Sequence, residues 1–139
     1  MSRVLATSGK LVLTIWAPPN EYFVAQSAAL KKFVSTEAAE KALAPFSHAA
    51  ASDLPGLLEG LGFKQVTAEK VTIERVISDA ENGIRQDIVG SPLGPMVEAK
   101  DPGIMTKLVD HILSECAGHL RNGDLVIQQT SEMFVASDR

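Results

Sequence analysis

His111, Glu115 and His119 recur every four residues, so on a continuous helix they would stack along one stripe. Two imidazoles and a carboxylate form a zinc donor set, with water filling the remaining position. The same spacing also describes the solvated edge of an amphipathic helix. With no further ligand or supporting shell in view, that second reading is the stronger one. Cys116 is the only cysteine. It falls on the apolar side of the same helix, where a small thiol packs as core rather than serving as a nucleophile. A lone cysteine excludes an internal disulfide and a cage made of cysteines alone.

Trp16, Tyr22 and Phe23 cluster just after the first apolar run. Open α/β sheets bind ligands beyond the carboxyl ends of their strands, so these rings could line a pocket for a small molecule. Ordinary packing in a small core accounts for them equally well. Arg85 could meet an acidic substrate, although most arginines lie at the surface. Glu132 could be a buried functional acid, or it could face solvent at a bulge or edge.

A chain of 139 residues suits one domain spanning 1–139. Hydrophobic residues make up 45% and charged residues 22%, as in globular proteins, while only 5% are aromatic, so the core must be largely aliphatic. Thirteen basic residues against seventeen acidic ones give a net charge of -4. That disfavours nucleic acid and anionic membranes as partners. No run approaches the ~20 apolar residues of a membrane-spanning helix. Arg3 and Lys10 precede residues 11–17 as in a signal peptide, but Pro18-Pro19 follows with no cleavage-like site. A cytoplasmic location is the simplest expectation.

These side chains must be positioned by the elements around them. Residues 10–17 are almost continuously apolar, which predicts a strand covered on both faces. Helix patterns run over about 21–34 and 35–44, and Pro45 ends the second. Ser52 and Asp53 open a helix carrying Leu54, Leu57, Leu58 and Leu61, and Gly62 stops it. In residues 65–77, Val71 and Ile73 alternate with polar neighbours, as in a half-buried strand. A helix over 78–89 places Ala80, Ile84 and Ile88 on one face, and 90–95 reads as a loop. Asp101-Pro102 opens the next helix. Its apolar arc runs through Met105, Leu108, Val109, Ile112, Leu113, Cys116 and Leu120, and Asn122-Gly123 closes it. A last strand spans 125–136, broken in character near 128–132. The order of strand, helices, strand, helices, strand predicts an α/β or α+β fold with three strands.

Five segments carry a family resemblance. They are Arg3-Val4-Leu5-Ala6-Thr7-Ser8-Gly9-Lys10-Leu11-Val12; Trp16-Ala17-Pro18-Pro19-Asn20; Pro45-Phe46 with Leu61-Gly62-Phe63; Ser91-Pro92-Leu93; and Asn122-Gly123-Asp124-Leu125-Val126 with Phe134-Val135-Ala136-Ser137. Their order and spacing resemble the C-terminal half of a class I S-adenosylmethionine-dependent methyltransferase. The nearest group is the small-molecule family related to ubiquinone and menaquinone methyltransferases. Ala6-Thr7-Ser8 depart from that family's turn.

The resemblance implies a Rossmann-like fragment, a three-stranded mixed sheet whose last strand lies antiparallel between the other two. It implies relatives that transfer methyl from S-adenosylmethionine to a small molecule by aligning donor and acceptor, so no catalytic residue is assigned. Trp16, Tyr22, Phe23 and Arg85 would face the acceptor. The family's glycine-rich turn and acidic ribose anchor have no counterpart here. The glycine pairs Gly56/Gly60 and Gly90/Gly94 do not sit between a strand and a helix. The chain is therefore expected to bind no cofactor by itself and to be inactive alone. The alternatives are a non-enzymatic module that dimerises or binds a small ligand, and an accessory chain completing a separately encoded N-terminal half. Strand 10–17 would become an edge, inviting a homodimer.

Overall fold

A computed structural model of the chain describes residues 5, 6, 8–47 and 53–137. In chain order it contains β1 (Leu11–Trp16), α1 (Glu21–Phe33), α2 (Thr36–Leu43), α3 (Leu54–Gly60), β2 (Gln65–Ile77), α4 (Ala80–Val89), α5 (Gly94–Glu98), α6 (Ile104–Glu115), β3 (Leu120–Arg121) and β4 (Asp124–Ser137). Short 3-10 turns follow α2 and α6. Arg3, Val4, Thr7 and the expected cap Ser52 lie outside the described residues.

The fold is mixed α and β, with an open four-stranded antiparallel sheet. The strand order β1-β4-β2 puts the long last strand in the middle, as expected. Two expectations are corrected. The sheet is not mixed, and it has a fourth strand, because β3 pairs with the start of β4. Asn122 and Gly123 have φ of 52° and 88°, the left-handed pair that a two-residue hairpin turn demands. This dipeptide therefore joins two strands, whereas α6 has already ended at Glu115.

The chain divides into two compact units. The first comprises Met1–Pro18, Ser47–Thr72 and Thr130–Arg139. Here β1 runs against β4, with Leu11 opposite Ala136, Leu13 opposite Phe134 and Ile15 opposite Glu132. The inward side chains of these strands pack with Leu54, Leu58 and Phe63. Burial along β1 alternates. Val12 and Trp16, on its other side, are 56% and 43% exposed. The expected cover on both faces is thus corrected: β1 is an edge strand, and the apolar cluster lies against one side of it. Gly62 ends α3 with φ of 93°, but Leu57 and Leu61 are exposed, and Leu58 is the buried leucine of that helix.

The second unit comprises Pro19–Phe46 and Ile73–Gln129. Asn20 caps α1 by accepting the Phe23 N–H at 3.2 Å, and Ser35 caps α2 by accepting the Ala38 N–H at 3.1 Å. α1 packs on α2 and α6, and α4 packs on α6. Leu108, Val109, Ile112 and Cys116 of the α6 arc are fully buried, and Ala80, Ile84 and Ile88 of α4 meet them in one cluster. α4 lies very close to the end of β2. A Cβ on Gly83 would stand 2.4 Å from Ile77 Cγ2, so only glycine permits this approach. The segment expected to be a loop, 90–95, overlaps the start of α5, with Pro95 in its first turn, where proline is tolerated.

β2 is also less buried than its alternation predicts. Val71 and Ile73 are 39% and 57% exposed, because β2 ends the sheet and its β-branched residues satisfy strand geometry without being covered. Among the described residues, no helix is long and apolar enough to cross a membrane.

Leu108 is fully buried, whereas Leu113 is only partly so. Leu108→Ala should cost on the order of 2–5 kcal/mol in denaturant unfolding, and Leu113→Ala clearly less. Equal costs would show that the buried face of α6 is misassigned.

Candidate functional site

A cavity of about 430 Å³ opens in the second unit, at the small end of the range for ligand sites. Phe23 and Gln26 reach it from α1, Lys41 and Ala42 from α2, Arg75 from β2 and Asp87 from α4. Ala44, Pro45 and Ser91-Pro92-Leu93 complete the wall. In the first unit, a larger depression of about 670 Å³ runs along α3. Among the described residues its wall is α3 with the flanking Asp53 and Leu61. A third hollow of about 210 Å³ lies near Lys70 and Glu132, below the usual size for a ligand.

One hydrogen-bonded array runs behind and into the 430 Å³ cavity. Tyr22 is fully buried on α1. Its hydroxyl donates to Asp87 Oδ2 at 2.7 Å and accepts from Gln26 Nε2 at 3.4 Å. Asp87 Oδ1 in turn accepts from the Arg75 guanidinium at 2.9 Å. That guanidinium stands 5.6 Å and 5.8 Å from the ring centroids of Tyr22 and Phe23, within range of a cation–π attraction.

Local structure explains the convergence. Tyr22 and Gln26 are one helical turn apart. Arg75 is two residues before buried Ile77 and so shares its face of β2. Asp87 borders the buried stripe of Ile84 and Ile88.

Burial pushes the Tyr22 phenol well above its usual ionisation range, and the Asp87 charge and hydrogen bond add to this. The nearby Arg75 charge opposes the shift only in part. Tyr22 is therefore a proton-bearing donor at neutral pH and unsuited to act as a base. Burial likewise raises the Cys116 thiol, helped by the charges of Glu21 and Glu115, so it is no activated nucleophile.

The four residues singled out from sequence fall in different places. Phe23 lines the cavity. Tyr22 stacks edge-on against Phe23 at 5.2 Å and works from behind the wall. Arg85 pairs with Glu81 on its own helix at 3.9 Å and is outside the lining. Trp16 belongs to the first unit, at the end of β1.

The histidine stripe does not form, because His119 sits in a 3-10 turn beyond α6. His111 packs edge-on against Phe33 at 6.0 Å. Among the described residues, no group of three His, Cys, Asp or Glu side chains could hold a metal. Glu132, 23% exposed, pairs with Lys70 at 3.8 Å. Sequence reasoning missed Gln26, Lys41, Arg75 and Asp87. The signal it passed over was a charge of each sign set directly beside buried apolar positions.

Tyr22 is the only tyrosine, so its titration can be read alone. Its folded pKa lies above the unfolded value near ~10. Above that pH the unfolded chain releases a proton that the native chain keeps. Stability should then fall as pH rises, by up to about 1.4 kcal/mol per pH unit, and be complete below it. Cys116 acts in the same sense from about pH 8.5. Tyrosinate absorbance should appear only as the protein unfolds, and Tyr22→Phe should flatten the slope above about pH 10. Reversible ionisation of the native protein at its ordinary pH would contradict this placement.

No protein-family model matches the chain, and no curated protein matches it.

Proposed function

We propose that this chain is a small-molecule-binding module, similar to the acceptor side of a methyltransferase, that carries out no methyl transfer alone. The observation that carries the reading is the cavity of the second unit, with its apolar wall and its Tyr22–Asp87–Arg75 array. A few fixed polar groups in a mostly apolar enclosure is the pattern of a ligand site. The order β1-β4-β2, with the last strand between the other two, is the one feature of the sheet that supports a resemblance to the C-terminal half of Rossmann-like methyltransferases. The connections from β1 into α1 and from β2 into α4 contain no glycine, so neither resembles a cofactor-binding turn.

A second reading, self-association, draws on the exposed side of β1. An edge strand carrying Val12 and Trp16, 56% and 43% exposed, suits pairing with the same strand of a second copy about a two-fold axis.

Calorimetric titration with S-adenosylmethionine should give no binding heat. Ligand-observed NMR with a set of small aromatic fragments should give hits that disappear in Pro92→Trp, which places an indole at the exposed rim of the cavity. A micromolar one-to-one cofactor isotherm, or hits indifferent to Pro92→Trp, would overturn the first reading. Sedimentation should report the mass of two chains, shifting toward one chain in Val12→Lys. A wild-type monomer at micromolar concentration would remove the second.

A further inference from the structure

We propose that the 430 Å³ cavity selects an aromatic monocarboxylate, with the anion held by Arg75 and Lys41 and the ring against Phe23, Pro92 and Leu93. The proposal rests on the binding reading above and adds the class of ligand.

The argument is a count of donors and acceptors. Among the described residues, Asp87 is the one carboxylate in the lining. One of its oxygens already accepts from Tyr22 and the other from Arg75, which leaves one lone pair on each, and Gln26, whose Nε2 donates to Tyr22, adds its amide oxygen as a further acceptor. The Ser91 hydroxyl donates to the Ile88 carbonyl at 2.8 Å and accepts the Leu93 N–H at 3.1 Å. It is engaged within its own turn.

The donors are in surplus. A guanidinium carries five N–H groups in a fixed fork, and the bond to Asp87 uses one of them. Lys41 has only long contacts, 3.8 Å to exposed Glu37 and 3.9 Å to Met96 Sδ. With its side chain 52% exposed, it is able to swing toward the cavity. Among the described lining residues, two cations stand against one carboxylate, a net positive charge. A site with two cations and more unused N–H donors than free acceptors favours a ligand that brings acceptors and negative charge, and Arg binds carboxylates through paired hydrogen bonds.

The rest of the wall fixes the body of the ligand. Phe23, Ala42, Pro45, Pro92 and Leu93 offer it no hydrogen-bonding side chain. Phe23 is braced by Phe46 at 4.6 Å, so its ring is a firm surface for another ring to stack on. The volume suits a short, compact body rather than a long chain.

The test compares 2-naphthoate with 2-naphthamide, which share a shape and differ in charge. Both are titrated into the intact protein by NMR, with the amides of Gln26 and Ser91 as reporters of position. Naphthoate should shift both amides and bind about tenfold more tightly than the amide, the scale of one charge-assisted contact. Its affinity should fall with added salt, and Lys41→Gln should weaken naphthoate severalfold more than it weakens naphthamide. Arg75→Gln should abolish the preference. If that variant fails to fold, the Lys41→Gln and salt results decide the matter. Equal binding of the two probes at these amides would overturn the carboxylate class and leave the pocket reading standing. Failure of both probes, with neutral fragments still excluded by Pro92→Trp, would do the same. If no probe or fragment perturbs either amide, the pocket reading itself falls.

Discussion

β4 is the strand on which the sheet depends. β1, β2 and β3 each hydrogen-bond to it, and among the described residues none of the three pairs with another. A strand must find partners for its backbone groups on both flanks, and the fourteen residues of β4 do so by gathering three segments distant from one another in sequence. The open flanks are thereby displaced onto β1 and β2. Those are the strands that carry exposed Val12, Trp16, Val71 and Ile73. Satisfying the central strand therefore produces edge strands with partly exposed apolar side chains, and that is the physical root of the proposed self-association.

Within the second unit a comparable chain of necessity starts from Tyr22. Burying a phenol without a hydrogen-bond partner is costly, and Asp87 supplies the acceptor. A half-buried carboxylate needs a counter-charge, and Arg75 supplies it. The array ends at a guanidinium on the cavity wall, with N–H groups to spare. A demand of the core thus places a cation where a ligand can meet it. Gly83 belongs to the same chain, since the close seat of α4 against the end of β2 sets Asp87 opposite Arg75.

This arrangement bears on the kind of chemistry in view. Tyr22 is held protonated, Cys116 is buried and its thiol raised, and Asp87 is engaged at both oxygens. Tyr22 and Cys116 hold the structure together rather than standing poised to exchange a proton or form a bond, and Asp87 anchors the array through both oxygens. These residues suit the proposed role of the cavity in binding a small molecule.

Local pattern alone determined much of the fold. The helical stripe of Ala80, Ile84 and Ile88, the apolar arc of α6 and the burial of Cys116 follow from 3.6-residue periodicity, whereas the caps at Asn20 and Ser35 were seen only in the structure. Strand propensity was equally plain in residues 11–16 and 65–77, yet coverage was not. An apolar run looks the same whether one or two layers pack on it, and only the position of β1 and β2 at the edges settled that. The Asn122-Gly123 turn was visible as a break, but its role as a hairpin depended on which strand the next residues joined. The site was half legible. Tyr22 and Phe23 stood out as aromatic side chains near a strand end. Arg75 and Asp87, twelve residues apart on a strand and a helix, have no spacing that announces a pair. They become one site because tertiary packing brings opposite charges together beside a buried phenol, and no local pattern in the chain encodes that distance.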